Sequence, residues 1–339
     1  MTQVLAVERL GKDFKVSGGL LGPKGLVQAV DDCSFAVAKN EVLGLVGESG
    51  SGKSTLARLL MCLIRPDRGR IVLENVAVDA RSADERRRVL SRVQMVFQDS
   101  YASLNPRHTA AAEVAFGLAA RGEPRRAAER QACEALALVG LTPNLFAERY
   151  PHELSGGQRQ RVNIARAIAL SPKILILDEA VSALDKSVQA QVLNLLGDLK
   201  RTLGLTYLFI SHDLEVVRYV SDRIVVMYLG KVMEIGSVDV VYDAPAHPYT
   251  KALISSRLTT DPKRRTSAAP VTGDPPSPIN PPPGCRFSSR CPIAEPICRA
   301  REPKLSSLRR DPHHLTACHA HITDSGHSLA SARKSEGNP

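Results

Sequence analysis

Short apolar runs alternate with longer amphipathic stretches from the start of the chain to about residue 240. The apolar runs are rich in Val, Ile and Leu, as strands are, and they read EVLGLVG, VQMVFQ, KILILDE, TYLFISH and RIVVMYLG. The run ILIL is apolar at every position, which is typical of a strand that helices cover on both faces. This alternation predicts an α/β fold with a mostly parallel central sheet.

Two helical regions accompany the predicted strands. The stretch from Ser187 to Thr202 has apolar residues at helical spacing, which predicts a helix that packs on the sheet. The apolar stripe of this helix consists of Val188, Val192, Leu195, Leu196 and Leu199. The stretch from Thr109 to Arg166 is mainly helical in pattern, and we interpret residues 99–166 as a helical subdomain inserted into the α/β core.

The composition changes after about residue 240. The stretch DPKRRTSAAPVTGDPPSPINPPPG is rich in Pro, Ser and charge without a periodic apolar face, so it predicts an extended linker. A segment with four cysteines follows, and the Ser- and Gly-rich end predicts a disordered tail. The predicted domains are residues 1–240, an extension over 241–321 and a tail over 322–339.

The charge and the apolar content restrict the cellular setting. The chain has no run of eighteen apolar residues and no cationic start followed by an apolar segment, so we expect a cytoplasmic protein. Its 45 Lys and Arg exceed 35 Asp and Glu, but the basic residues are scattered and aromatic residues make up only 4%. Nucleic acid is therefore not an expected partner, whereas nucleotide phosphates or an anionic membrane surface explain the charge equally well.

The stretch GLVGESGSGKST has the spacing G-x-x-x-x-G-K-S, after an apolar strand and before a predicted helix. Glycines let the backbone N–H groups point inward, the lysine reaches the β- and γ-phosphates, and Ser54 is a ligand of Mg²⁺. We therefore predict a phosphate-binding loop, called the P-loop below. Its predicted ATP ligands are Gly47, Glu48, Ser49, Gly50, Ser51, Gly52, Lys53, Ser54 and Thr55.

Two adjacent acids close the buried strand in KILILDEA, where ligands bind in open α/β sheets. Asp178 is expected to hold Mg²⁺, directly or through water. Glu179 is then the candidate general base that polarises the attacking water.

The stretch LSGGQRQR, residues 154–161, resembles the signature sequence of ABC ATPases. Gln98, the SALD stretch and His212 in ISHD resemble three further family motifs: the Q-loop, the D-loop and the switch histidine. The resemblance implies an ATPase with a RecA-like parallel-sheet core, Gln98 and His212 beside Glu179 in catalysis, and Gln98 as a further Mg²⁺ ligand. It also implies ATP held between two subunits, with Phe14, or Phe35 or another group as the alternative, stacked on adenine. The further ATP contacts that it implies are Ser155, Gly156, Gly157, Gln158 and Asp185.

The stretches QDSYASLNPR and HPYTKAL, together with the cysteine segment, resemble ATPases of oligopeptide and dipeptide importers. The resemblance implies a peripheral protein at the cytoplasmic face of the cell membrane, bound to two permeases that a substrate-binding protein feeds. The YASLNPR form resembles the second ATPase of such importers, which favours a heterodimer over a homodimer. Importers of nickel complexes or oligosaccharides, and soluble ABC ATPases without a transport role, are the alternatives.

Seven cysteines in a reducing cytoplasm argue for packing, catalysis or metal binding rather than disulfides. Cys33, Cys62 and Cys133 lie in apolar stretches, and we interpret them as packing residues. The remaining four stand in a Pro-interrupted segment with few core residues, outside every nucleotide motif, which favours a metal as the organising element. The candidates are a [4Fe-4S] cluster, Zn²⁺ or no metal, and the ligands would be Cys285, Cys291, Cys298 and Cys318.

Overall fold

Two β-sheets organise the chain in the computed structural model, which describes residues 2–16, 25–256 and 276–330. The described strands are β1 Gln3–Val16, β2 Gly25–Ala38, β3 Val42–Val46, β4 Arg68–Leu73, β5 Val76–Val78, β6 Val93–Val96, β7 Ile174–Asp178, β8 Thr206–Ile210, β9 Arg223–Tyr228, β10 Lys231–Ser237, β11 Ser306–Leu308 and β12 Asp311–Thr316. The described α-helices are α1 Lys53–Leu60, α2 Ala83–Arg92, α3 Ala110–Ala120, α4 Arg125–Leu138, α5 Pro143–Phe146, α6 Gly156–Ile168, α7 Lys186–Leu203, α8 Leu214–Val220, α9 Val238–Asp243, α10 Pro248–Ser255 and α11 Pro296–Ala300.

The larger sheet has eight strands in the order β11-β12-β10-β9-β3-β8-β7-β6. Strands β9, β3, β8, β7 and β6 run parallel, and the remaining pairs are antiparallel. Every residue of β3, β7 and β8 is buried, as their continuous apolar sequences require. The predicted α/β class and all five predicted strands are confirmed.

The smaller sheet has the order β2-β1-β4-β5 and is antiparallel throughout. Helix α1 shares one apolar core with both sheets, in which its Leu56 and Leu59 are buried together with Leu5 of β1 and Leu45 of β3. The sequence analysis does not predict this sheet. It matters for the site because its strand β2 lies against the P-loop, the loop that follows the end of β3.

The other face of the large sheet is covered by helices. Helix α7, predicted over 187–202, extends from Lys186 to Leu203, and Val192, Leu196 and Leu199 of its stripe are buried. Helices α3 to α6 form the predicted helical region and share one apolar core with α7. Among the described helices, none combines the length and the apolar character needed to cross a membrane.

The cysteine-containing extension joins the large sheet directly. Strand β12 pairs with β10 through Glu234 and Thr316, and β11 pairs with β12. Phe287 of the extension is fully buried in the same core as the helices. This finding corrects the view of the cysteine segment as poor in core residues.

The last described residues are also packed. The ring of His327 is 1% exposed and its Nε2 lies 3.0 Å from the carbonyl oxygen of Ile293. The backbone N–H of Ser328 donates to Glu295, so residues 322–330 of the predicted disordered tail contact the extension. Residues 331–339 and the predicted linker up to residue 275 lie outside the described residues. The domain bounds themselves stay predictions.

Candidate functional site

The P-loop connects β3 to α1, as the sequence predicts. Gly52 precedes the helix with φ of 103°, a conformation that residues with a side chain rarely adopt. A Cβ atom at this position would lie 2.1 Å from the carbonyl oxygen of Ala29 in β2. The smaller sheet therefore presses on the loop and makes glycine obligatory there.

The amino group of Lys53 is held inside the loop. Its Nζ donates to the carbonyl oxygens of Gly47 at 2.7 Å and Glu48 at 3.0 Å. Burial lowers the pKa of Lys53, while the nearby carboxylates of Glu179, Asp178 and Glu48 oppose that shift. Carbonyl oxygens of the P-loop therefore fix the ammonium group of Lys53 inside the loop that is predicted to bind the phosphate groups.

Asp178 ends strand β7 and is 7% exposed. Burial raises the pKa of this carboxyl group, and a hydrogen bond from Ser54 opposes the rise. Its Oδ1 has no hydrogen-bond partner among the described residues. A buried carboxylate oxygen that lacks a donor, beside a hydroxyl group, suits a hard divalent cation such as Mg²⁺.

The structure brings Gln98, Glu179 and His212 together. The Nε2 of Gln98 donates to Oε2 of Glu179 at 2.7 Å, and Nδ1 of His212 lies 3.3 Å from Oε1 of the same carboxylate. Glu179 has φ of 48°, and its N–H donates to the carbonyl oxygen of Ile210. Because these residues follow β6, β7 and β8, parallel neighbours in the sheet, their side chains meet at one edge.

The residues of the SGGQ stretch lie at the start of α6. Ser155 accepts a hydrogen bond from the N–H of Gln158, whose side chain accepts from the N–H of Ser155. Gly157 packs so closely on α7 that a Cβ atom would lie 2.5 Å from Val188. Gly156 is the first residue of the helix.

Asp185 begins helix α7 as its N-cap residue. Its Oδ1 accepts hydrogen bonds from the N–H groups of Ser187 and Val188, and these bonds lower the pKa of the carboxyl group. The described contacts of this side chain are therefore those of a helix cap. The predicted contact between Asp185 and ATP would have to use the other carboxylate oxygen, Oδ2.

Phe14 lies near the end of β1 and is 40% exposed, with Nζ of Lys12 5.6 Å from its ring centre. Phe35, the alternative aromatic residue, is 7% exposed and belongs to the core between the sheets. Of the two rings, only that of Phe14 is available for stacking on a base. The segment 17–24 that follows lies outside the described residues.

Sequence reasoning missed two residues that contact the P-loop. The guanidinium group of Arg290 donates to both carboxylate oxygens of Glu48, at 3.2 and 3.0 Å. The hydroxyl group of Tyr249 accepts a hydrogen bond from the N–H of Glu48 at 2.9 Å. The cysteine segment is therefore outside the nucleotide motifs in sequence but adjacent to one of them in space, and no local signal reveals that contact.

The four extension cysteines line one small cavity of about 10 Å³, which Cys285, Cys291, Cys298 and Cys318 share with His247, His319 and His327. Burial raises the pKa of Cys285 to about 12 and that of Cys318 to about 11. In the described part of the chain, no three His, Cys, Asp or Glu side chains are grouped as ligands of one metal ion. The structure thus gives the predicted metal a common thiol-lined location but no ligand geometry.

Cys33 and Cys62 have the packing roles that the sequence predicts, and for Cys133 that role stays a prediction. Cys33 is fully buried and its Sγ lies 3.3 Å from the carbonyl oxygen of Gly230, while Cys62 is 7% exposed. Cys133 is half-buried on α4.

Comparison with known proteins agrees with this geometry. Residues 30–182 match the profile of the ABC transporter family, and residues 233–298 match the C-terminal region of oligopeptide/dipeptide transporters. The oligopeptide transport ATP-binding protein AppF of Bacillus subtilis is 47% identical over 321 residues, which cover 93% of this chain and 97% of AppF. A protein of Brucella ovis named as a peptide import ATP-binding protein is 47% identical over 318 residues, covering 94% of this chain and 98% of its own length.

Solved structures share the nucleotide-binding part of the fold. The dimeric ATP-binding cassette MJ0796, bound to ADP and phosphate in a post-hydrolysis state, superposes with a TM-score of 0.61 at 28% identity. The superposition covers 69% of this chain and 98% of that one. CbiO1 of Clostridium perfringens, part of an ABC transporter complex, gives a TM-score of 0.62 at 27% identity and covers 72% of this chain and 92% of its own.

Proposed function

This chain belongs to the ABC transporter family of ATPases, and we propose that it hydrolyses ATP at the sheet edge where the P-loop, Asp178 and the Gln98–Glu179–His212 group meet. It is the ATP-hydrolysing subunit of a peptide importer, as its relatives' names and the oligopeptide/dipeptide C-terminal region indicate. The observation that carries the assignment of residues is the Glu179 carboxylate, which Gln98 and His212 contact from two sides.

ATP binding is assigned to the loop between β3 and α1. The N–H groups at the start of α1 and the amino group of Lys53 attract the phosphates, since the helix N-terminus and the cation both favour negative charge. Ser54, Asp178 and Gln98 would hold Mg²⁺, and the partnerless Oδ1 of Asp178 supports that role. When bound, Mg²⁺ would neutralise negative charge on the phosphate groups. Phe14 is the proposed platform for adenine.

Hydrolysis is assigned to Glu179 as the group that accepts a proton from the attacking water. Gln98 donates to one carboxylate oxygen and His212 faces the other, so both orient the base toward the phosphates. A general base of this kind contributes about 10² to 10⁴ in rate. The backbone of Glu179 is held in the left-handed region by its hydrogen bond to β8, which fixes where the carboxylate points.

A second copy of the fold is proposed to complete each ATP site. Ser155 caps α6, and Gly156 and Gly157 are its first two residues, so the N–H groups of these glycines suit an anion that another subunit presents. Asp185 would contribute from the same direction. The dimeric cassette with which this chain superposes supports such an arrangement.

The importer role implies membrane permeases as partners. We propose two permeases, a second and different ATPase subunit, an extracytoplasmic binding protein that acts indirectly, and a position on the cytoplasmic face of the membrane. In this scheme ATP closes the ATPase dimer and hydrolysis reopens it, which switches the permeases between two states. Co-purification of the chain with permeases and a second ATPase tests the assembly, and recovery of a homodimer would replace the heterodimer.

The four extension cysteines are proposed as thiolate ligands of a [4Fe-4S] cluster. All four line one cavity, which supports a common ligand set, and a bound cation would offset the burial that raises the pKa of Cys285 and of Cys318. When bound, such a cluster would hold the cysteine segment together or make it sensitive to oxidation and reduction. Absorbance near 400 nm with about four irons per chain supports it, whereas one zinc or no metal in anaerobically purified protein overturns it.

The direct test of the proposed function is phosphate release by the purified chain with ATP and Mg²⁺, in the presence and absence of its permeases. Wild-type protein is expected to hydrolyse ATP, and labelled peptide uptake into vesicles is expected to require that hydrolysis. Vesicles that take up peptide equally well with an inactive chain would refute the coupling.

A further inference from the structure

The C-terminal extension reaches the P-loop through a partly buried ion pair. Arg290, next to Cys291, has a side chain that is 9% exposed, and Glu48 in the P-loop has one that is 29% exposed. Both carboxylate oxygens of Glu48 accept from Nη1 of Arg290, which also donates to the hydroxyl group of Tyr228 at 3.2 Å. A pair with this little solvent around it is screened less than a surface salt bridge.

The backbone of the same P-loop residue is held from a second direction. Its N–H donates to the hydroxyl group of Tyr249, a residue of α10 that is 1% exposed. The rings of Tyr228, Tyr249 and Phe287 pack with centre distances of 4.5 to 5.5 Å. These rings come from β9, from α10 and from the cysteine segment, so three parts of the chain fix the acceptor hydroxyl group.

Glu48 is therefore the residue that contacts the cysteine segment, α10 and the phosphate-binding lysine together. Its side chain pairs with Arg290, its N–H binds Tyr249, and its carbonyl oxygen accepts from Nζ of Lys53 at 3.0 Å. Displacement of the loop at this residue would move the lysine as well.

The charge of Glu48 gives the arrangement a consequence for ATP. A carboxylate in a phosphate-binding loop repels a polyphosphate, and the guanidinium group of Arg290 cancels that repulsion at contact distance. Removal of the guanidinium group leaves the carboxylate uncompensated beside the ligand and releases one side of the loop. Removal of both charges together leaves neither a repelling group nor an unpaired charge.

We infer that Arg290 of the cysteine extension is a positioning residue of the ATP site, which neutralises Glu48 and, together with Tyr249, holds the P-loop in its binding conformation. The inference rests on the proposed use of the P-loop in ATP binding and assigns the extension a role in that binding. ATP affinity consequently depends on a segment that lies 242 residues beyond Glu48.

The test is a double-mutant cycle on the full-length chain, with Kd for a fluorescent ATP analogue and steady-state kinetics as readouts. Arg290→Gln is expected to raise Kd and KM about tenfold with kcat at saturating ATP changed less than threefold, as for loss of a charge-assisted hydrogen bond. Glu48→Gln in the Arg290→Gln background is expected to recover most of the affinity. Arg218→Gln, which breaks the exposed pair with Asp243, is the matched control without effect.

The outcomes separate the inference from the proposed function. If Lys53→Ala abolishes binding while Arg290→Gln binds like wild type, the inference is wrong and the ATP site stands. If Lys53→Ala leaves affinity unchanged, the proposed ATP site is wrong and the inference falls with it. Should Arg290→Gln fail to fold, Arg290→Lys keeps the charge without the two-oxygen contact and is expected to weaken ATP binding, whereas wild-type affinity in that variant would overturn the inference.

Discussion

Replacement of Glu179 by Gln tests the proposed general base most directly. The substitution keeps the shape of the side chain, and its amide oxygen can still accept the hydrogen bond that Gln98 donates at 2.7 Å. Because glutamine is as tolerant of φ near 48° as glutamate is, the backbone at this position is not expected to change. The substitution therefore removes the proton acceptor and leaves the surrounding contacts in place.

The magnitude follows from the role assigned to the carboxylate. Loss of a general base costs about 10² to 10⁴ in kcat, which corresponds to about 2.7 to 5.5 kcal/mol of transition-state stabilisation. Nucleotide binding is carried by the P-loop and by Lys53, so the Kd for ATP is expected to stay within about threefold of wild type. Chemistry and binding thus separate in this one variant.

The assay combines single-turnover phosphate release with titration of a fluorescent ATP analogue. Asp243→Asn, at an exposed position on α9, is the matched carboxylate-to-amide control and is expected to hydrolyse ATP normally. Release by Glu179→Gln at a rate within tenfold of wild type would refute the assignment of the base. Equal losses of binding and turnover would instead mark the residue as structural.

Three further outcomes test the site and its supports. Lys53→Ala is expected to lose ATP binding itself, measured by the same titration, because no other described cation lies inside the loop. Glu234 is fully buried; burial opposes its charged form, but hydrogen bonds from His314 and two backbone N–H groups lower its pKa from the ordinary 4.5. The ionised Glu234 therefore contributes its full stabilisation of the fold above about pH 4.5, and this contribution is lost as the pH falls through the lower pKa of the folded state. Glu234→Gln is expected to cost about 3 kcal/mol in the free energy of unfolding at pH 7. It should also flatten the dependence of denaturant unfolding on pH below 4.5. Phe287→Ala removes a fully buried ring and is expected to lower the free energy of unfolding by about 3 to 5 kcal/mol; a loss below 1 kcal/mol would contradict the packing described for the extension.

The parts of the fold that sequence reasoning predicts are those with an unmistakable burial pattern. Strands β3, β7 and β8 are buried at every position, and their sequences are apolar except for Thr206 at the start of β8 and Asp178 at the end of β7. Strands β1 and β2 instead mix buried and half-exposed residues, and their pairing has several register shifts. Those shifts break the two-residue alternation on which strand prediction depends, so the smaller sheet has no comparable signal.

The candidate site divides in the same way. Gln98, Asp178, Glu179 and His212 each follow a predicted strand, and parallel strands bring their carboxyl ends to one edge, so the grouping could be anticipated. The contact between Arg290 and Glu48 could not, because it depends on how the extension returns across the sheet. Tertiary packing decides which charged residues pair over such a distance in sequence, so no local sequence pattern indicates this ion pair.

Strand β12 is synthesised well after β10, the strand with which it pairs, so this part of the sheet can form only late in synthesis. β10 lies between β9 and β12 in the sheet, so a nascent chain that ends near Ser256 presents β10 as an open edge with unpaired N–H and C=O groups. Thr316 leaves the ribosome roughly 3 to 12 s after Ser256 at ordinary rates of synthesis. During that interval the growing chain exposes a template for strand addition by other chains, and a version truncated after α10 would expose it permanently.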